Sequence, residues 1–225
     1  GLFNFHHSNN HLQFTNEFQL PSESITLAVD WNSSFDKCIG SYSDGNVVII
    51  NTIDGFQEES TFIAHEGAEV WAISSSKYSP HLFYSGGDDC KLKSWDSRMG
   101  YESSTFCKRY DMGVTCIQSS MHNEHYIVVG SYDETVSVFD IRNMRRPISD
   151  IRVGGGVWRI KWNPNNENIL LSACMYNEFQ LLEWKDNGIS KLNDVFGSPQ
   201  HEIGKLAYGA DWFRYNTQNN NSDDY

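Results

Sequence analysis

The chain has 225 residues, of which 39% are hydrophobic and 14% aromatic, and its formal net charge is −12. A chain of this size can bury a real hydrophobic core, and its aromatic content favours an all-β fold. The negative charge argues against nucleic-acid and anionic-membrane partners, because no basic stripe is present to neutralise phosphates. It is compatible with a cationic ligand.

The five cysteines are scattered along the chain and never occur as C-x-x-C. This usage is typical of reduced thiols in an intracellular protein. The sequence contains no run of 18 apolar residues and no basic-then-apolar leader. We therefore expect a cytoplasmic protein with no membrane partner.

An apolar run stops at a tight turn and resumes as a strand four times, at a period near 44 residues. The turns are at 43–45, 88–90, 132–134 and 175–177. The strands that follow them are at 47–50, 92–96, 136–140 and 179–183. Short strands at this period are typical of propeller blades, whereas helical repeats would show 3.6-residue periodicity. The sequence therefore predicts an all-β propeller.

The predicted partial propeller covers residues 1–213, and residues 214–225 form a low-complexity tail that we expect to be disordered. Blades are predicted at about 25–63, 64–107, 108–151 and 152–200, with the start of the next blade at 201–213. Residues 1–23 are expected to be the outer strand and linker of a preceding blade. A seven-bladed ring at this period needs about 300 residues. The expectation is therefore a partial ring of about four blades plus parts of flanking blades.

Motifs for metal or phosphate chemistry are incomplete in this sequence. There is no G-x-S-x-G nucleophile elbow. His65 and His201 each begin a zinc-protease-like motif, but Glu69 and Lys205 stand where the second histidine is required. The glycines at 154–156 lack the Lys-Ser/Thr of a phosphate loop and are better interpreted as an inter-blade turn. We predict no metal and no cofactor.

The segment 71–98 resembles a blade of the WD-repeat family. In that family a histidine ahead of the first strand, a serine or threonine on the second, the turn aspartate and the tryptophan of the third strand form a buried hydrogen-bonded tetrad. Those places are held here by His65, Ser85, Asp89 and Trp95. A buried carboxylate is tolerable only if donors satisfy it. The interpretation gives His65 a structural role rather than that of a general base.

The resemblance also implies which residues line the mouth of the central channel. Mapped onto this sequence, these positions are Glu69, Trp71, Asp88, Tyr132, Trp158, Met175 and Tyr208. An acidic and aromatic mouth suits a quaternary ammonium group, because ring faces and carboxylates both attract a cation. The alternative is that the aromatic rings simply plug the channel.

Several longer stretches are more specific than the blade pattern. Among them are Tyr84-Ser85-Gly86-Gly87-Asp88-Asp89, Gly155-Gly156-Val157-Trp158-Arg159 and Tyr208-Gly209-Ala210-Asp211-Trp212. They resemble the WD-repeat diphthine methylesterase family of diphthamide biosynthesis, also named diphthine methyltransferase, over about residues 60–212. The resemblance implies a carboxylic ester hydrolase that acts on the methyl ester of methylated diphthine on elongation factor 2. Its product is diphthine for amidation.

The substrate of that family carries a trimethylammonium group beside the ester. Our hypothesis is that Asp88 or Glu69 activates water as the catalytic residue. The residues expected to bind the substrate cation are Trp71, Tyr132, Trp158 and Tyr208. Tyr132 could also donate a hydrogen bond to the oxyanion. A Cys174 nucleophile is disfavoured, because its place matches Ser131 beside the buried turn.

The rival hypothesis is a non-catalytic WD-repeat scaffold or adaptor, acting in protein complex assembly or endosomal trafficking. It rests on the fold alone, because most WD-repeat chains are interaction scaffolds. An esterase should release methanol with multiple turnover, whereas an adaptor should only bind.

Overall fold

The computed structural model describes residues 2–6, 11–16, 24–53, 55–192 and 206–213. Within these residues the regular structure comprises eighteen β-strands and one short 3-10 turn at Ser97–Met99. The all-β prediction is confirmed. No helix in the described part is long and apolar enough to cross a bilayer.

Sixteen of the strands form four antiparallel sheets, which we call blades 1 to 4. Blade 1 holds β3 (Thr26–Trp31), β4 (Lys37–Tyr42), β5 (Asn46–Asn51) and β6 (Gln57–Ile63). Blade 2 holds β7 (Ala72–Ser75), β8 (Leu82–Gly86), β9 (Lys91–Asp96) and β10 (Phe106–Arg109). Blade 3 holds β11 (Val114–Ser119), β12 (Tyr126–Ser131), β13 (Thr135–Asp140) and β14 (Ser149–Arg152). Blade 4 holds β15 (Arg159–Asn163), β16 (Asn166–Ala173), β17 (Phe179–Lys185) and β18 (Gly188–Lys191). Strands follow chain order in every blade.

Both ends of the described chain differ from the sequence expectation. We expected one outer strand near the start, but β1 (Leu2–His6) and β2 (His11–Asn16) pair antiparallel with each other as a two-stranded sheet. The predicted opening strand of the next blade is a single bridge between Met175 and Ala207. After Ala207 a side-chain hydrogen bond connects the chain to blade 4, because Trp212 Nε1 donates to the Lys161 carbonyl at 3.1 Å. The predicted blade residues 193–205 and the tail 214–225 lie outside the described residues.

The hydrophobic core lies between neighbouring blades, as β12 illustrates. Successive side chains of a strand point to opposite faces, so Ile127 and Val129 pack towards blade 2 while Val128 packs towards blade 4. All three are at most 1% exposed. Burying a side chain of this size stabilises the fold by about 1.5–3 kcal/mol. A continuous apolar run is therefore needed where both faces of a sheet are covered.

A five-residue connection, at 42–46, 87–91 and 131–135, contains the tight turn between the second and third strands of blades 1 to 3 and orients the residues of interest. In blades 1 to 3 its fourth residue has positive φ, with Gly45 at 89°, Cys90 at 64° and Glu134 at 72°. The amide of that residue donates to the carbonyl three positions earlier, as from Cys90 to Gly87 at 3.2 Å. The second residue of the connection is thereby left at the surface in blades 2 and 3. These residues are Asp88 and Tyr132, and both are exposed.

Candidate functional site

Four residues of blade 2 form one chain of hydrogen bonds. Trp95 Nε1 donates to Ser85 Oγ at 2.8 Å. Ser85 Oγ also lies 2.8 Å from His65 Nε2, and His65 Nδ1 lies 2.7 Å from Asp89 Oδ1. The structure thus joins the four predicted tetrad residues, which span 31 positions of sequence from His65 to Trp95.

The protons of this chain follow from its geometry. Burial lowers the pKa of His65 below its usual 6.5, against the opposing effect of Asp89. A neutral ring with its proton on Nδ1 donates to Asp89 and accepts from the Ser85 hydroxyl. Burial alone would raise the pKa of Asp89, but hydrogen bonds from His65 and from the Lys91 amide, with nearby positive charge, lower it below 3.8. His65 is fully buried and both ring nitrogens are occupied, so it is not available to a substrate.

The later blades replace this chain with other bonds to the same connection. In blade 3 the Asp133 carboxylate accepts from the amides of Asp111, at 3.3 Å, and Thr135, at 3.0 Å. In blade 4 Tyr176 holds the aspartate position and is 73% exposed. The following residue, Asn177, donates from its side chain to the Val153 carbonyl. In blade 4 the hydrogen bond from the Asn177 side-chain amide therefore takes the place of the bonds made by an aspartate, and Tyr176 faces solvent.

The four aromatic residues predicted to bind the substrate meet at Trp158, and we call them the ring cluster. The Trp158 ring centroid lies 5.1 Å from that of Tyr208, 5.5 Å from that of Trp71 and 6.3 Å from that of Tyr132. The Trp71 and Tyr132 rings stand nearly edge-on to it, at 86° and 83°, which is a favourable arrangement for aromatic rings. Tyr132 is 37% exposed and Tyr208 is 47% exposed. Part of the cluster therefore faces solvent, so its rings do not form a sealed plug.

The backbones of the two predicted catalytic residues, Asp88 and Glu69, adjoin each other and connect through Gly113 to Tyr132 of the ring cluster. The Asp88 amide donates to the Glu69 carbonyl at 2.9 Å, which fixes the two backbones side by side. Gly113 connects this pair to Tyr132, because its carbonyl accepts from the Tyr132 amide at 2.9 Å and a Cβ at Gly113 would lie 2.9 Å from Asp88 Oδ1. Among the described residues, neither carboxylate has a hydrogen bond or ion pair from a side chain. Both negative charges are therefore free to attract a cation.

One donor in the ring cluster was not identified from the sequence. Trp158 Nε1 is buried and has no hydrogen-bond partner among the described residues. A buried N–H without a partner is uncommon in native proteins and requires an explanation. Nothing in the sequence signals it, because the tertiary arrangement of the rings decides which atoms of Trp158 find partners.

A cavity of about 380 Å³ between blades 3 and 4 adjoins the ring cluster. Its walls include Tyr132, Met175 and Arg152, together with Asp111, Asp133 and Glu134. Gly156 allows the side chains of Met175 and Tyr132 to lie close to its backbone, because a Cβ at that position would lie 2.9 Å from Met175 Sδ and 3.1 Å from Tyr132 Cδ2. The three acids outnumber the single arginine, so the wall suits a positively charged group. Met175 itself is 4% exposed and contributes little surface.

Metal and thiol chemistry have little basis at these positions. No three His, Cys, Asp or Glu side chains in the described ranges lie close enough together to hold a metal ion. Burial raises the pKa of Cys174 to about 11, and its Sγ lies 3.1 Å from Ser172 Oγ. The thiol is therefore protonated at neutral pH and is a poor nucleophile.

Comparison with known proteins agrees with the fold. Residues 56–96 and 102–140 match the family described as WD domain, G-beta repeat. The prediction of a WD-repeat propeller is confirmed.

Three curated relatives share a name. The chain is 38% identical over 213 residues to a diphthine methyltransferase of Mus musculus, which covers 89% of this chain and 44% of that protein. It is 34% identical over 220 residues to a diphthine methyltransferase homolog of Dictyostelium discoideum, covering 89% of this chain and 59% of that protein. It is 36% identical over 205 residues to a diphthine methyltransferase of Homo sapiens, covering 86% of this chain and 45% of that protein. The chain spans about half the length of the curated relatives it matches. Two segments of the chain thus match WD repeats, and its sequence is similar, over most of its residues, to proteins named diphthine methyltransferase.

Proposed function

We propose that this chain is part of a carboxylic ester hydrolase of diphthamide biosynthesis. Its substrate is the methyl ester of methylated diphthine on elongation factor 2, and its products are methanol and diphthine. The names of the relatives support the link to diphthine. The observation that carries the proposal is the ring cluster around Trp158, with the backbones of Asp88 and Glu69 connected to its member Tyr132 through Gly113.

A trimethylammonium group fits the chemistry of this cluster. The group cannot donate hydrogen bonds, so its recognition depends on aromatic faces and on nearby negative charge. A cation over a tryptophan or tyrosine face gains about 0.5–1 kcal/mol when exposed and about 2 kcal/mol when desolvated. Two free carboxylates add attraction over a longer range. The substrate cation therefore anchors the ester beside a candidate general base.

The hydrolysis then needs one water molecule and two kinds of protein group. Asp88 or Glu69 takes a proton as the water oxygen forms a bond to the ester carbonyl carbon. The carbonyl electrons move onto oxygen, and that oxyanion is stabilised by a hydrogen bond from the Tyr132 hydroxyl. When the intermediate collapses, the carbon–methoxy bond breaks and the methoxide receives the proton as methanol. The product carboxylate remains on the diphthine side chain.

Elongation factor 2 is the proposed partner, and its modified side chain must reach the ring cluster. Tyr132 and Tyr208 are the most exposed members of the cluster. We propose that elongation factor 2 docks on the face that carries these two rings. The acidic wall that includes Asp111 and Asp133 lies on the same side as Tyr132 and suits basic groups around the modified residue.

The direct test uses elongation factor 2 whose diphthine methyl ester carries a carbon-13 label. The full chain should release labelled methanol over many turnovers, with or without S-adenosylmethionine. Transfer of a methyl group to the factor, rather than release, would instead support the transferase activity of the relatives' name. Binding without methanol release would support the adaptor hypothesis.

The catalytic assignment is tested with Asp88→Asn and Glu69→Gln in the same assay. The variant that lacks the general base should lose about 10²–10⁴-fold in kcat. Asp186→Asn is the matched control, because Asp186 is an exposed carboxylate in the turn between β17 and β18. Unchanged turnover in both Asp88→Asn and Glu69→Gln would remove these residues from the mechanism.

A further inference from the structure

The first strands of the four blades border an open cavity of about 370 Å³. Its walls come from β3, β7, β11 and β15, and Trp71 and Arg159 are both among the lining residues. Trp71 also belongs to the ring cluster, through its edge contact with Trp158. The cavity and the ring cluster therefore share Trp71.

Most charged groups of this wall are paired. Asp30 Oδ2 accepts from the Ser75 amide at 2.8 Å, and Asp30 Oδ1 lies 3.5 Å from Lys77 Nζ. Lys161 Nζ lies 3.4 Å from Asp211 Oδ2. Arg159 differs, because its guanidinium has no hydrogen bond or ion pair to any described residue. The wall thus carries one uncompensated positive charge in a chain of net charge −12.

The strand pattern directs this arginine to the cavity. Along β15 the side chains alternate, so Ile160 and Trp162, each 2% exposed, point into the core. Arg159 and Lys161 lie on the other face and line the cavity. Arg159 directly follows Trp158 in the chain. An unpaired guanidinium therefore lines a cavity whose wall also includes Trp71 of the ring cluster.

We propose that Arg159 binds the carboxyl group of the ligand whose ammonium group the ring cluster holds. The site would then take an α-trimethylammonio acid or its ester, a dipolar ligand whose cation meets rings and carboxylates and whose carboxyl end meets arginine. This inference rests on the proposed function for the ammonium half of the ligand. A guanidinium suits the task because its planar fork donates two parallel hydrogen bonds to a carboxylate. The same contact would face the negative charge that develops on the carbonyl oxygen during hydrolysis.

The test compares two small probes with the full chain, tetramethylammonium and trimethylglycine, by NMR titration of the tryptophan indole N–H signals. Trimethylglycine adds a carboxylate to the same cation, so the difference between the probes reports the carboxyl contact. Arg159→Gln should weaken trimethylglycine binding about tenfold or more and change tetramethylammonium binding less than about twofold. Arg159→Lys should recover part of the loss, since it restores the charge without the fork.

Arg146→Gln is the matched control, because Arg146 is an exposed arginine between β13 and β14, outside the wall of this cavity. It should leave both affinities unchanged. The proposal is overturned if Arg159→Gln leaves trimethylglycine binding intact, if it weakens both probes equally, or if the wild-type chain binds neither probe. Failure of the proposed function is a separate result. In that case no methanol is released from elongation factor 2 while the Arg159-dependent preference for trimethylglycine persists.

Discussion

Trp158 and Trp71 stand edge to face with ring centroids 5.5 Å apart, although Trp158 opens blade 4 and Trp71 opens blade 2. It joins residues that directly precede the first strands of two blades that are not consecutive in the chain. The ring cluster is consequently a property of how the blades are arranged around the axis, and each ring depends on the others for its position.

Replacing Trp71 tests whether this contact supports cation binding. Trp71→Ala should weaken tetramethylammonium binding about 3- to 30-fold, because it removes a ring face and releases Trp158 from its edge contact. Trp71→Phe should recover part of the affinity. The control is Phe35→Ala, since Phe35 is 73% exposed in the turn between β3 and β4. Equal affinities of Trp71→Ala and wild type in NMR titration would show that the ring does not contact the cation.

The tetrad predicts a graded loss of stability in blade 2. Trp95→Phe keeps most of the ring but removes the N–H that Ser85 accepts, and should lower the free energy of unfolding by about 1–3 kcal/mol. Ser85→Ala should cost more, because it leaves both His65 Nε2 and Trp95 Nε1 buried without partners. Urea denaturation measures both values. Ser190→Ala, at an exposed position of β18, is the control. A Trp95→Phe protein as stable as wild type would mean that the hydrogen bond contributes nothing net.

The sequence predicted the parts of the molecule that repeat, and for a physical reason. The connections around Asp89 and Asp133 follow from local turn chemistry and strand alternation, and both patterns can be identified within the sequence of a single blade. The position of Trp158 at the centre of four rings depends on the rotation between blades, which no local pattern encodes. The same holds for the missing partners of Trp158 Nε1 and Arg159. The pairing of β1 with β2 was not predicted, because the local sequence does not show whether this segment forms one strand or two strands paired as a hairpin.

The tetrad also predicts how stability depends on pH. The folded pKa of His65 lies below 6.5, so the unfolded chain takes up a proton as the pH falls through 6.5 while the folded chain stays neutral. Stability should therefore fall below about pH 6.5, by up to about 1.4 kcal/mol per pH unit from this group. The pKa of Asp89 is lowered as well, and its contribution is present above pH 3.8 and lost only in more acidic solution.

Urea denaturation between pH 7.5 and 5.5 isolates the histidine contribution. The wild-type chain should lose stability across this range, and His65→Gln should start less stable but show a smaller slope. His81→Gln is the control, because His81 is exposed. If the slopes of wild type and His65→Gln are the same, the buried imidazole is not the group that titrates.

Two glycines with nearly the same φ angle distinguish two causes of lost stability on substitution by alanine, namely backbone strain and a steric clash of the added Cβ. Gly45 has φ of 89° and Gly55 has φ of 92°, so an alanine at either position is strained. A Cβ at Gly45 would lie 2.0 Å from the His65 carbonyl oxygen, whereas a Cβ at Gly55 would meet nothing within 4 Å. Gly55→Ala should therefore cost about 1 kcal/mol of unfolding free energy. Gly45→Ala should cost more than about 3 kcal/mol, because the connection between β4 and β5 must move away from blade 2.

The comparison is made by urea denaturation of both variants, with soluble yield as a second measurement if Gly45→Ala does not accumulate as folded protein. The close approach matters because the Gly45 carbonyl accepts from the amides of Ala64, at 2.9 Å, and His65, at 3.0 Å. Moving the connection would break these two bonds and shift His65 within the tetrad. Equal losses for Gly45→Ala and Gly55→Ala would show that backbone conformation alone accounts for the glycine at 45, and that the contact between blades 1 and 2 tolerates a side chain there.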